Sequence, residues 1–217
     1  MSSARGSRAW VALAAVMGLA ALALALWGAP REMLDWQPGL AATQPWRLWS
    51  AGLVHLTPGH LLANLTGCIV VGAFGRAARA SAASVVAWAL AWPMGHAALL
   101  ALPELRHYAG LSGVLHAGVV VAALPLVWNG AGRQRWVGAA VFAGMALKLV
   151  LERPWSLPVQ SSPGADFPIA GAAHLSGALA GLVCGALGLC WSARAKNHAS
   201  AGASGGTGPS VRNSSLR

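Results

Sequence analysis

Six apolar runs, at residues 9–27, 60–74, 81–102, 109–128, 136–151 and 169–191, occupy most of the 217-residue chain. Only the fifth contains a formally charged side chain, Lys148. Runs of this length are what a helix needs to cross, or nearly cross, a hydrocarbon layer about 30 Å thick. Inside that layer the backbone must satisfy its own hydrogen bonds, which leaves helices or closed barrels. With 56% hydrophobic and 9% charged residues, the chain lacks the polar surface of a soluble domain. The expected fold is an all-α membrane protein, a bundle of six transmembrane helices over residues 9–192. Residues 1–8 form a short N-terminus. Residues 193–217, rich in Ser, Gly and Ala, form a basic tail expected to be disordered. The first run follows Arg5 and Arg8 as a signal peptide would, but its charge-free stretch is longer than a usual h-region, which predicts an uncleaved helix.

The net charge of +10 raises nucleic acid as a partner, and its distribution argues against one. Arg5 and Arg8, Arg76 and Arg79, Arg133 and Arg135, and the tail residues Arg194, Lys196, Arg212 and Arg217 stand in segments without a single acid. The acids Glu32, Asp35, Glu104, Glu152 and Asp166 all fall in the alternate connections. That is a positive-inside pattern with both termini cytoplasmic. Lys148, four residues before Glu152, is expected to snorkel at the outer end of the fifth helix. Cys68, Cys184 and Cys190 read as small hydrophobes without pairing or metal spacing.

This topology places four polar residues at one depth. His60 and Asn64 open the second helix, Ser112 opens the fourth and His174 lies about a turn into the sixth. At 1.5 Å per residue all lie within roughly 10 Å of the outer helix ends. His60 and Asn64, spaced i,i+4, share a face; each of the four could be no more than a satisfied packing group. An imidazole within the membrane is nevertheless costly enough to call for a role and a partner. Gly177 and Gly181 follow His174 on its own side and permit a close helix–helix approach. That approach would bring the imidazole to Ser112. A serine activated by a histidine base performs acyl transfer without metal or cofactor, and none is expected. With every acid assigned to a loop, a Ser–His dyad is the most the pattern offers. The oxyanion would be met by His60, Asn64 and the backbone N–H of Ser112.

These residues resemble the rhomboid intramembrane serine proteases over the whole six-helix core. The elements occur in the family's order: Trp46-Arg47, then His55, His60-Leu-Leu-Ala-Asn64, Gly110-Leu111-Ser112-Gly113, and Ala173-His174 with Gly177 and Gly181. The resemblance implies a rhomboid-like bundle with Ser112 as nucleophile and His174 as general base, then acid. It implies an oxyanion and substrate-binding set of His60, Asn64, Gly110 and Leu111. Trp46, Arg47 and His55 would organise the first outer segment, residues 30–59, with Gly113 and His116 in support. Many bacterial members carry a tyrosine at the position of His116, which here acts as a packing substitute or an extra polar group in the water cavity, the former being preferred. His116, the stretch HLTPGHLLANLTG, the compact size and the lack of a folded soluble domain resemble the rhombosortase branch. Those proteins resemble sorting enzymes for membrane-anchored substrates with a C-terminal Gly-Gly, a membrane helix and a basic tail.

The expected setting is a bacterial inner membrane, with the active site opening to the periplasmic side and no nucleic acid bound. A general rhomboid protease of single-span proteins is the nearest alternative. A non-catalytic rhomboid-like escort of membrane helices should lose the Ser or the His, and both are present. A histidine-relay transporter would show inverted repeats or broken helices, which are not evident. His96 and His107 have no argued role, and no pattern sets an oligomeric state.

Overall fold

The computed structural model describes residues 3–161, 164 and 166–204. Six long helices form the bundle: α1 (Ser3–Trp27), α4 (Pro58–Ala77), α5 (Ala82–Ala98), α6 (Ser112–Trp128), α7 (Arg133–Glu152) and α8 (Gly171–Ser204). Two short helices, α2 (Arg31–Leu34) and α3 (Arg47–Leu53), lie in the segment between α1 and α4. Thr57 caps α4 by accepting the His60 N–H, with Pro58 at the first helical position, where its missing donor costs nothing. Ser81 and Ser84 form a reciprocal capping box on α5. The last helix continues to Ser204, past the boundary expected at residue 192; residues 205–217 of the expected tail lie outside the described residues.

Five of the six are long and apolar enough to cross a membrane, α5 when counted with the turn that extends it to Ala101, and α6, with 17 residues, is shorter. At 1.5 Å per residue it rises about 26 Å, less than the hydrocarbon thickness. It can be short because protein, not lipid, surrounds it: α6 packs against α4, α5, α7 and α8. Its apolar run begins at residue 109, but residues 109–111 are not helical, so Ser112 starts the helix below the rim of the bundle. By contrast α7 is peripheral and mostly exposed. It packs along α6, touches α8 weakly, and makes no substantial packing with α4 among the described residues.

Two tryptophans and a line of glycines hold the interior. The Trp10 and Trp88 rings stack at 4.3 Å. Their indole N–H groups donate to the carbonyls of Val71 and Val114, at 2.9 and 2.8 Å, as a buried indole requires. A Cβ on Gly118 would lie 2.6 Å from the Trp88 ring. Between α6 and α8 the backbones themselves touch. A Cβ on Gly113 would lie 2.6 Å from the Ala173 carbonyl oxygen, and one on Gly181 2.6 Å from that of Ala117. A Cβ on Gly177 would collide with the Gly113 carbonyl. Exposed tryptophans mark both rims: Trp27, Trp46, Trp49 and Trp155 where α4, α6 and α8 begin, and Trp128, Trp136 and Trp191 at the opposite end. Two such belts suit the two interfaces of a bilayer.

Overpacking a tight interior costs about 1–3 kcal/mol. Gly177→Val is therefore expected to lower the thermal unfolding midpoint in detergent by several degrees. Gly144→Val on α7, where nothing lies within 4 Å of a Cβ, is expected to leave it unchanged.

Candidate active site

The chain between α1 and α4 is ordered by a buried acid. Asp35, 1% exposed, sits against Arg47, 3% exposed. The Arg47 Nη1 donates to the Asp35 backbone oxygen at 2.6 Å and to its Oδ1 at 3.1 Å. Its Nη2 reaches the Glu32 carbonyl and its Nε the Gln44 side chain. The other carboxylate oxygen of Asp35 is 2.8 Å from His107 Nδ1. Arg47 thus ties α2, α3 and the turn between them together. Trp46 takes no part and is half exposed at the rim. His55 lies outside this network too. It is packed edge-on to His60, with ring centroids 4.9 Å apart. Burial, reinforced by the neighbouring His60, lowers its pKa to about 4, so it is neutral at physiological pH.

From this platform the chain returns through residues 102–111. Trp36 and Tyr108 exchange backbone hydrogen bonds at 2.8 and 3.1 Å, and Gly110 N–H donates to Ala51. The Tyr108 hydroxyl donates to the Gly110 carbonyl at 2.7 Å and receives the Gly113 N–H at 3.5 Å. Burial raises the phenol's pKa to about 12, against the opposing pull of hydrogen bonds with the Ser112 side chain and the Gly113 backbone. Gly110 has φ +117°, and a Cβ there would lie 2.6 Å from His60 Nε2. Only glycine fits that position. Leu111, fully buried, is the N-cap residue, and Ser112 is the first residue of α6. The backbone N–H groups of this first turn lack intrahelical acceptors.

Facing it, Asn64 and His60 line the wall one turn apart on α4. His60 Nδ1 accepts the Leu56 N–H at 3.3 Å, which leaves its proton on Nε2 as an available donor. The Asn64 amide donates to the His60 carbonyl at 3.0 Å, and Phe167 stacks on the His60 ring at 4.4 Å. His116 donates from Nδ1 to the Ser112 carbonyl at 2.6 Å. Its ring stacks on that of His174, centroids 4.2 Å apart and 13° from parallel. The expected packing position of His116 is therefore occupied, and the same residue also lines the cavity.

Of the residues singled out in the sequence, Ser112, His174, His60, Asn64 and His116 line one cavity of about 570 Å³, whereas Gly110, Leu111, Gly113, Gly177, Gly181, His55, Trp46 and Arg47 do not. Ser112, His116 and His174 form its polar end with His60 and Asn64. Apolar residues such as Gly67, Val70 and Met145 carry it along the open side between α4 and α7.

One expectation is corrected. The sequence leads one to expect every acid in a loop, with none able to reach the histidine. Glu152 is instead the last residue of α7, and its Oε2 lies 2.8 Å from His174 Nδ1. Lys148, expected only to snorkel, ion-pairs with Glu152 and lies 3.3 Å from the same His174 nitrogen. The i,i+4 spacing of these two charges at the end of an apolar run was visible in sequence. That their side chains turn inward was not. Tyr108, the chain's single tyrosine, and Asp35 also had no signal that set them apart. His96 Nδ1 donates to the Leu48 carbonyl of α3 at 2.6 Å, away from the cavity.

Removing one partner of a buried ion pair leaves the other uncompensated, at about 3–5 kcal/mol. Asp35→Ala is expected to lower the unfolding midpoint markedly and to open residues 30–59 to protease. Arg31→Ala, at the exposed pair with Glu32, is expected to change stability by less than about 1 kcal/mol.

None of the curated proteins matches the chain. A rhomboid domain model matches residues 42–191, a span that contains the cavity, both glycine-lined helices and the Trp46-Arg47 corner. On that match, covering well over half of its length, the chain belongs to the rhomboid family of multi-pass membrane proteins.

Proposed function

We propose that this protein is an active intramembrane serine endopeptidase in which Ser112 is the nucleophile and His174 the general base. The observation that carries the proposal is the presence of both side chains at the polar end of a single cavity. That cavity runs out along the unpacked side between α4 and α7, where a membrane-anchored substrate has room to enter. His174 accepts the Ser112 proton as Oγ adds to the scissile carbonyl carbon. The oxyanion that forms is met by the Ser112 N–H at the head of α6, His60 Nε2–H and the Asn64 amide. Collapse breaks the C–N bond, the amine leaves with the proton held by His174, and the acyl group stays on Ser112. Water, or an incoming amine, then gives His174 a proton and releases the acyl group.

The family includes inactive members, but an escort without chemistry gains nothing from a serine and a histidine held in one recess. The preferred substrates are membrane-anchored proteins bearing a C-terminal Gly-Gly, a helix and a basic tail, as in the rhombosortase branch. His116 at the position stacked on His174 supports that branch, and a glycine pair suits the reaction. Each glycine lowers helix propensity by about 1 kcal/mol relative to alanine, which helps expose a carbonyl for attack. The orientation we propose is bacterial inner membrane, termini cytoplasmic and cavity periplasmic. It is supported by the arginines Arg76, Arg79, Arg133 and Arg135, all at the bundle end opposite the cavity.

Co-expression with two reporters tests this function. One is a Gly-Gly, helix and basic-tail fusion, and the other a single-span protein with its N-terminus outside. Cleavage of the first alone, abolished by Ser112→Ala and by His174→Ala, is the expected outcome. Cleavage of the second would make the protein a general rhomboid protease, and undiminished cleavage by Ser112→Ala would refute the mechanism. Each replacement should lower kcat/KM about 10⁴-fold or more. Asn64→Ala should cost no more than the roughly 10²–10³-fold of one lost oxyanion donor, read as kcat with KM nearly unchanged.

A further inference from the structure

The carboxylate of Glu152 stands where stability alone would not put it. It closes the C-terminal turn of α7, against the negative end of the helix dipole, with a side chain only 13% exposed. A carboxylate withdrawn from water at membrane depth needs partners. It has two, one for each oxygen: Lys148 on Oε1, from one turn earlier, and His174 Nδ1 on Oε2 at 2.8 Å. The helix end that carries it is pinned, since Gln160 Nε2 donates to the Glu152 carbonyl at 2.7 Å. Across the interface it meets the start of α8, where a Cβ on Gly171 would lie 3.4 Å from that of Glu152.

We propose that Glu152 is a positioning residue for the reaction, completing a Ser112–His174–Glu152 triad in which its Oε2 holds the His174 proton on Nδ1. This rests on the reading of Ser112 as nucleophile and His174 as base. A neutral imidazole carries one proton, and it serves as base toward Ser112 only when Nε2 bears the lone pair. Lys148, 3.3 Å from the same Nδ1, pulls the other way. An ammonium donating to Nδ1 would move the imidazole proton to Nε2 and silence the base. Glu152 is nearer to Nδ1 and occupies Lys148 with its second oxygen. The ion pair so formed keeps the ammonium's charge from opposing the imidazolium that develops when Ser112 is deprotonated. No proton passes to Glu152 in this scheme; the carboxylate orients the ring and stabilises its charged form.

The test has one arm that needs no turnover. In detergent-solubilised Ser112→Ala protein labelled with ¹⁵N-histidine, the His174 resonances, assigned by their loss in His174→Gln, should show a protonated Nδ1 and an unprotonated Nε2 near neutral pH. Adding Glu152→Gln should shift the population toward the Nε2–H form. The other arm measures turnover on the reporter and the rate of Ser112 labelling by a fluorophosphonate across pH. Glu152→Gln is expected to lower kcat about 10²–10⁴-fold, by analogy with the loss of the acid from a serine-protease triad, with KM little changed. The groups facing His174 are His116 from α6, His60 from α4 and the Lys148–Glu152 pair from α7.

Loss of Glu152 alone should move the acid limb of kcat/KM to lower pH, because the imidazolium loses its counter-ion. Lys148→Met alone should move it to higher pH. The double variant Lys148→Met/Glu152→Gln removes both charges from the cavity and guards against misfolding of the single one; it should keep the loss in kcat. An unchanged tautomer in Glu152→Gln, or an unchanged kcat and acid limb, would overturn the proposal. Failure of wild-type protein to label at Ser112 would instead overturn the protease reading, and the NMR arm would still decide the role of Glu152.

Discussion

The contact on which the site depends is the backbone-to-backbone approach of α6 and α8, with Gly113 against the Ala173 carbonyl, Gly177 against Gly113 and Gly181 against Ala117. A single methyl group at any of these points would wedge the helices apart. Without a hydrophobic driving force between helices in lipid, such close van der Waals packing supplies much of the association energy. It also sets the geometry, because Ser112 is the neighbour of Gly113 and His174 the neighbour of Ala173. The residues that pack and the two that enter the cavity are consecutive, so the precision of one is inherited by the other.

A second constraint is that the imidazoles admitted to the cavity must be paired. Each imidazole at the cavity meets it through a different partner on Nδ1. His60 accepts a backbone N–H there, His116 donates to a carbonyl, and His174 meets a carboxylate. One nitrogen is committed to the scaffold in each case and the other is left toward the cavity. The arrangement lets imidazoles sit at membrane depth with the Nδ1 of each paired.

The rim is organised by the same rule with charges. Asp35 and Arg47 are both buried and mutually neutralised, and together they tie α2, α3 and the 102–111 return into one platform. Through the Trp36–Tyr108 bridge and the Tyr108 hydroxyl, that platform reaches Gly110 and the head of α6. The first connecting segment therefore bears on the position of the serine although none of its charged residues enters the cavity.

Much of this was legible in the chain. Apolar run lengths gave the six helices, because a helix in lipid must be apolar for most of its length, but not where α1 starts, at Ser3, or where α8 ends, at Ser204, since a helix can continue into polar sequence beyond the apolar run. The glycines after His174 announced a close contact, and the spacing of His60, Asn64, Ser112 and His174 placed them at one level. What sequence could not supply was direction and depth across connections. Residue 111 rather than 109 begins the turn into α6, because Gly110 adopts a positive φ to clear His60. Glu152 read as a loop acid beside a snorkelling lysine, since spacing along α7 is the same whether the pair faces lipid headgroups or His174. Only the packing of α7 against α6 and of its final turn against α8 decides that, and it decides it by burying the carboxylate with one oxygen on Lys148 and the other on His174. The primary structure thus determined the helices, their order and the level at which His60, Asn64, Ser112 and His174 meet. The tertiary structure alone determined which charge stands behind that pair, because such a contact joins residues 22 positions apart whose side chains obey no common periodicity.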